Sequence, residues 1–150
     1  MTCCKLLVRG QFETLPFRRV IATGFYDGPM EGFTECCQCG QAFSFHMLDW
    51  DDSQKVRVFA FSPVSTSLDA IAEHLRIVLA ADTGFSFVAH LSENDQVFVR
   101  DLLSHPPTRV AAFQGWPGES SSCRDISRID VTEIGDWFSF LGVARKTAAS

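Results

Sequence analysis

The chain has 150 residues, a formal net charge of -5, a hydrophobic fraction of 46% and a charged fraction of 21%. These values are those of an ordinary globular protein and exclude an intrinsically disordered chain. The acidic balance and the lack of clustered basic residues argue against a nucleic-acid partner. No apolar run has the length of a membrane span, so no membrane partner is expected.

The length predicts a single domain over residues 1–150, ending in a short frayed tail at 144–150. The N-terminal apolar run, Leu6 to Val8, is too short for the core of a signal peptide. We therefore expect a cytoplasmic protein whose six cysteines stay reduced. In that compartment the thiols are core residues, reactive groups or metal ligands rather than a disulfide framework.

The first clear elements are two strands joined by a turn. Residues Arg18 to Tyr26 are rich in β-forming side chains, and Glu31 to Cys36 form the second strand. Asp27-Gly28-Pro29 between them favours a turn, and a further turn is expected at Gln38 to Gly40.

A hairpin follows, with arms at Gln41 to Trp50 and Lys55 to Ser62. If Trp50 pairs with Lys55, the row of Phe43, Phe45 and Met47 lies across from Val56, Val58 and Ala60. The connecting residues, Asp51-Asp52-Ser53-Gln54, are typical of a solvated turn.

The main helix is predicted over about 66–81, with Thr66 as its N-cap and Gly84 after its C-terminal end. An apolar stripe at helical spacing supports it. The stripe consists of Leu68, Ile71, Ala72, Leu75, Val78 and Leu79.

Residues 92–104 are ambiguous between a helix capped by Ser92 and a turn followed by a strand, and the helix is slightly favoured. Together the segments indicate an α+β fold. We expect an antiparallel sheet of five to six strands, with the helices packed on one side. The remaining predicted elements are strands at Phe85 to His90, Arg109 to Phe113 and Ile126 to Val131, a loop at Gln114 to Cys123, and a short C-terminal helix that begins after Thr132.

Phenylalanine is over-used, with 14 Phe against 1 Tyr and 3 Trp. Residues two apart in a strand share a face, so the first three of the four F-x-F pairs predict rows of rings directed into the core. The competing interpretation is an exposed aromatic face that meets a partner. The pairs are Phe43/Phe45, Phe59/Phe61, Phe85/Phe87 and Phe138/Phe140.

Cys36 and Cys39 have C-x-x-C spacing, with Gly40 directly after them. This dozen-residue stretch resembles one knuckle of a zinc ribbon, in which a tight turn directs two thiolates at one ion. A closed site needs four ligands, and the available partners are Cys37, His46, Cys123, the Cys3-Cys4 pair and the remaining histidines. Of these, His46 and Cys123 are the candidate ligands for the remaining positions. The competing interpretation is a β-turn whose thiols are buried as small hydrophobes. No cofactor is expected, and zinc is the alternative.

Trp116 in the predicted loop and Trp50 at the hairpin are the candidate partner-binding residues, since tryptophan is enriched at binding hot spots. The sequence carries no recognisable catalytic motif, so we expect a small protein-binding, immunity-like or regulatory domain rather than an enzyme. Its partner is expected to be another protein, and its oligomeric state is open. The alternative is a small cysteine- or zinc-dependent enzyme, or a zinc-stabilised domain, built on Cys36 and Cys39.

Overall fold

The computed structural model contains one sheet of eight strands and two helices, which confirms the α+β class. It describes residues 13–14, 17–25, 29–51, 56–79, 85–88, 90–105, 109–113 and 122–125. The strands are β1 (Glu13–Thr14), β2 (Phe17–Phe25), β3 (Pro29–Cys36), β4 (Ala42–Asp51), β5 (Val56–Val64), β6 (Phe85–Phe87), β7 (Arg109–Phe113) and β8 (Ser122–Asp125); the helices are α1 (Leu68–Leu75) and α2 (Glu93–Leu103).

The strand order is β1-β8-β7-β5-β4-β3-β2-β6. Five strands of five or more residues, β2, β3, β4, β5 and β7, form its body, and all pair antiparallel. The prediction of a purely antiparallel sheet is wrong, because β6 pairs with β2 in parallel. The chain reaches β6 from β5 through α1, and β6 runs antiparallel to β5 and parallel to β2.

The sheet is rolled. Phe17 of β2 and Phe113 of β7 have three strands between them, yet their ring centroids are 6.3 Å apart. In a flat sheet, four strand steps would separate them by about 19 Å. Thr14 of β1 and Phe17 of β2 stand near opposite ends of the strand order, but three chain steps span at most about 11 Å. The two ends of the sheet therefore lie close together.

Alternation along the strands gives the sheet two different faces. The concave face, called here the phenylalanine face, holds one buried cluster; the convex face, called the helix face, holds a second one beneath α1 and α2. The first cluster contains Phe17, Val20, Ala22, Cys36, Phe43, Phe45, Phe59, Phe61 and Phe113. The second contains Ile21, Phe33, Ala42, Val64, Leu68, Ile71, Ala72, Leu75 and Val99.

The phenylalanine rows are confirmed for two F-x-F pairs. In the β4–β5 hairpin Phe45 pairs with Phe61 and Met47 with Phe59, and Phe17 stacks on Phe61 with ring centroids 4.9 Å apart. The predicted core position of Phe87 is wrong, because this side chain is 52% exposed on the short strand β6. Phe138 and Phe140 lie outside the described residues.

The predicted hairpin register is also wrong. Trp50 pairs with Arg57 instead of Lys55, and the ladder shifts between Met47 and Asp49. A bulge of this kind changes which residues of β4 and β5 pair with each other beyond it. The alternation of inward and outward side chains along β4 before the bulge is unchanged. The phenylalanine rows of the two arms consequently lie opposite each other, rather than opposite a row of small aliphatic residues.

Helix α1 is shorter than the predicted 66–81 and is capped by Ser67 instead of Thr66. Its end lies at Arg76, which adopts the left-handed conformation with φ 57° and ψ 42°. The Arg76 and Ile77 amides then donate to the carbonyls of Glu73 and Ala72, a hydrogen-bond pattern that closes a helix well before Gly84. Val78 leaves the apolar stripe and is 92% exposed.

Helix α2 settles the ambiguity at residues 92–104 in favour of the helix, with Ser92 as its N-cap. The predicted strand at Arg109–Phe113 is confirmed as β7. Ser122–Asp125 form strand β8, which corrects the expectation that Cys123 belongs to a loop. The predicted C-terminal strand, helix and tail lie outside the described residues.

Neither described helix has the length and apolar character needed to traverse a bilayer.

Candidate functional site

The thiol-bearing stretch forms the predicted turn between β3 and β4. The Cys36 amide donates to the Gln41 carbonyl at 2.9 Å, and the Gly40 amide donates to the Cys36 carbonyl at 2.9 Å. Gly40 has a φ of +76°, a conformation that side chains other than glycine rarely adopt. The glycine of the C-x-x-C-G pattern therefore has the backbone role that the turn requires.

The three thiols of this turn stand in different surroundings. Cys36 is 0% exposed and belongs to the cluster on the phenylalanine face. Cys37 is half-buried and Cys39 is exposed. Cys39 borders a polar cavity of about 290 Å³ that Gln41, Ser65, Thr66 and Ser67 also line.

The other two predicted zinc ligands come from different places. His46 of β4 pairs with Glu31 of β3 and lies on the helix face, whereas Cys36 lies on the phenylalanine face. The backbone of Cys123 in β8 pairs with Phe113 of β7 on one side and with Glu13 of β1 on the other. The structure does not describe the side chain of Cys123. Within the described ranges, no three His, Cys, Asp or Glu side chains group as metal ligands would. Zinc binding by Cys36, Cys39, His46 and Cys123 stays a prediction.

His46 has its own electrostatic environment. Desolvation by neighbouring groups lowers the pKa of His46, and the nearby carboxylate of Glu31 acts in the opposite direction. The imidazole is therefore biased toward its neutral form on the helix face. A neutral imidazole is the form that binds a metal or accepts a proton. Among the described residues, His46 belongs to no group of three or more His, Cys, Asp or Glu side chains that could hold a metal ion.

Trp50, a predicted partner-binding residue, is 55% exposed although it belongs to a paired strand. It stands across from the half-buried Arg57 at the end of the β4–β5 hairpin. The Trp50 amide donates to the Asp49 carboxylate at 2.8 Å, which fixes the backbone beneath the indole. The hairpin end thus exposes a large aromatic side chain beside a half-buried arginine. The other candidate, Trp116, lies outside the described residues.

An ion cluster on the helix face was not predicted. Glu35 is 4% exposed, and the Arg19 guanidinium binds both of its carboxylate oxygens, with Nη2 to Oε2 at 2.8 Å. Arg18 Nε reaches the same Oε2 at 3.2 Å, and Arg19 Nη1 reaches Asp69 Oδ1 at 3.2 Å. The hydrogen bond to Glu35 raises the pKa of Arg19, while burial opposes the rise. The cluster joins the sheet to the first turn of α1.

Backbone geometry explains how two consecutive arginines reach one carboxylate. The β2–β3 register shifts between Arg18 and Val20, and Arg19 takes a left-handed φ of 50°. The Thr34 hydroxyl donates to the carbonyls of Arg18 and Arg19, both at 3.1 Å, which satisfies the irregular backbone. The sequence carried a usable signal, because Glu35 shares a strand face with the core residue Phe33 and so needs a buried cationic partner.

Comparisons with protein-family models, with curated proteins and with solved structures found no match to this chain.

Proposed function

We propose that this chain is a protein-binding domain of the immunity-like or regulatory kind, and that its partner contacts the exposed end of the β4–β5 hairpin. The observation that carries the proposal is the exposure of Trp50 at a position where the strand backbone is paired with β5. A tryptophan side chain has only two rotatable bonds, so it loses little conformational entropy when a partner covers it.

Arg57 supports the same surface. Tryptophan and arginine are the residue types most enriched among binding hot spots, and here they are cross-strand neighbours. The remaining exposed large apolar residues among the described ones are Val78, Phe87 and Val97, which lie elsewhere in the chain. At the hairpin end an exposed aromatic residue and an arginine are therefore neighbours across the two strands.

The test begins with isolation of the partner from the cells that make this protein, followed by measurement of its Kd with the purified chain. Trp50→Ala should weaken binding by at least about tenfold, the effect of losing a central aromatic anchor. Val78→Ala is the matched control, because Val78 is equally apolar and 92% exposed on another part of the chain. Equal Kd values for the wild type and Trp50→Ala would refute the proposal.

The competing class, a cysteine- or zinc-dependent protein, needs a separate experiment. Cys39→Ser is the informative variant, since Cys39 is exposed, whereas a hydroxyl at the buried Cys36 would perturb the core whether or not metal binds. The metal content of the chain purified without chelator is measured for wild type and Cys39→Ser. About one zinc per chain in the wild type, lost in the variant, would favour the competing class.

A further inference from the structure

An open cavity of about 430 Å³ runs along helix α2 and is called here the α2 groove. Its walls come from two elements, with Glu31 of β3 on the side of the sheet and α2 on the other side. The helix contributes Gln96, Val99, Arg100 and Leu103, whose spacing of three and four residues places them on one face of α2. The groove thus follows that face for about 10 Å, and its volume is that of a small-molecule site.

The floor of the groove is apolar and incompletely packed. Val99 is the one buried residue of α2, and Leu91 and Leu103 are partly buried against the cluster of the helix face. All three residues line the groove. The apolar body of a ligand would cover surface that α2 leaves open, and the removal of this surface from water favours binding.

Two polar side chains of the groove are already bound within the chain. The Gln96 side-chain amide donates to the Leu91 carbonyl at 3.1 Å, and the Ser104 hydroxyl donates to the Asp101 carbonyl at 2.7 Å. These bonds tie down the two ends of α2. The charged groups of the groove, Glu31 and Arg100, remain for a ligand.

The described residues do not neutralise either of these charges. Within the described ranges, Glu31 and Arg100 take part in no ion pair. The Thr23 hydroxyl lies 3.5 Å from Glu31 Oε1, at the outer limit of a hydrogen bond. His46 pairs with Glu31 across the sheet, but desolvation lowers the pKa of His46 and favours the neutral imidazole. A carboxylate and a guanidinium therefore stand on opposite walls of the groove and lack a counter-charge among these residues.

The two charges select the chemistry of the ligand. An ammonium group suits Glu31, and a carboxylate suits the planar guanidinium of Arg100, which can donate two parallel hydrogen bonds to it. A fatty acid would match Arg100 but bring a like charge to Glu31, and an alkylamine would do the reverse. A molecule with both charges and an apolar side chain matches both walls and the floor. An apolar amino acid is the smallest molecule of this kind.

We propose that the α2 groove binds a free apolar amino acid, a function separate from partner binding at the hairpin end. The ammonium group binds Glu31, the carboxylate binds Arg100, and the side chain covers Leu91, Val99 and Leu103. The ligand then bridges β3 and α2. Its binding stabilises the docking of a helix that buries little apolar surface of its own.

Calorimetric titration of the purified chain with leucine, methionine and phenylalanine tests the proposal, and we expect at least one of them to bind. The N-acetyl derivative of that amino acid lacks the ammonium charge, and its amide derivative lacks the carboxylate. Each derivative should bind about fivefold more weakly than the parent, the scale of one charge-assisted contact at an open site. The absence of binding by all three amino acids would overturn the proposal, and so would equal affinity for the parent and either derivative.

Two variants assign the contacts. Arg100→Gln should weaken binding of the parent amino acid about fivefold and leave the Kd of its amide derivative unchanged, because that derivative has no carboxylate. Glu31→Gln should weaken the parent equally and leave the N-acetyl derivative unchanged. Glu73→Gln, at an exposed glutamate of α1 outside the groove, is the matched control and should keep the wild-type Kd. An unchanged Kd for the parent in Arg100→Gln or in Glu31→Gln would overturn the proposal.

Discussion

The two faces of the sheet are built from alternate residues of the same strands, yet different forces hold them together. The phenylalanine face is closed by aromatic rings that contact one another, with centroid separations of 4.9 to 6.4 Å. The helix face is covered by two short helices and includes a buried carboxylate bound by two arginines. The comparison shows that one rolled sheet can join a mainly aromatic interior to an outer layer that includes helix caps and ion pairs.

The largest expected effect comes from the phenylalanine face. Phe61→Ala removes a ring that contacts Phe17, Phe45 and Phe113, and it should lower the free energy of unfolding by about 4 kcal/mol. Urea denaturation measures the loss. Phe87→Ala is the matched control, because Phe87 is largely exposed, and its cost should stay within about 0.5 kcal/mol. Similar costs for both variants would contradict the assignment of the core to this face.

The next effect lies on the helix face. Glu35→Gln leaves the guanidinium groups of Arg18 and Arg19 with a neutral partner, so unfolding should become easier by about 2 kcal/mol. Asp69→Asn removes the exposed carboxylate of the same cluster and should cost less than about 0.5 kcal/mol. If the two substitutions cost the same in chemical denaturation, burial does not govern the strength of this cluster.

A smaller effect tests the covering layer itself. The Ser67 hydroxyl accepts a hydrogen bond from the Ala70 amide at 3.1 Å and caps α1. Ser67→Ala should therefore lower the free energy of unfolding by about 1 kcal/mol. Ser65→Ala, at an exposed serine two residues earlier, should have almost no effect in the same denaturation assay. A larger cost for Ser65→Ala would place the cap at the wrong residue.

The smallest effect concerns pH. Because desolvation lowers the pKa of His46, the unfolded chain binds a proton at this histidine more readily than the folded chain does. Its contribution to stability is therefore present above the unfolded pKa, about 6.5, and declines as the pH falls below that value. Denaturation at pH 7.5 and pH 5.5 should show a smaller acid loss in His46→Gln than in the wild type.

Local patterns predicted most of the elements, since β2 to β5, β7 and α2 follow from β-propensity, turn residues and a capping serine. The sequence could not predict what depends on distant partners. The parallel strand β6, the pairing of β8 and the rolling of the sheet require contacts between segments far apart in the chain. The early end of α1 was missed because a left-handed Arg76 closes it, and arginine gives no signal for that conformation.

The candidate sites show the same division. The turn at Cys36 to Gly40 was predictable from its spacing and its glycine, but the burial of Cys36 beside phenylalanine rings was not. Trp50 was identified from residue type alone, and its exposure depends on a register shift at Met47 that no local pattern specifies. The cluster of Arg18, Arg19 and Glu35 combines an adjacent basic pair with an acid on a core-facing position. Those two features were visible separately, and only the pairing of β2 with β3 brings them together.

The pairing of β1 with β8 has a consequence for how the chain folds. Glu13 pairs with Cys123, and Thr14 with Ser122, so more than a hundred residues separate the partners in sequence. On the ribosome the β1–β8 pair cannot form until synthesis has passed residue 125. Until then β8 is missing, so the backbone groups at that edge of β7 stay unpaired. Contacts of such long range slow the final folding step, and the nascent chain is most prone to aggregation during that interval.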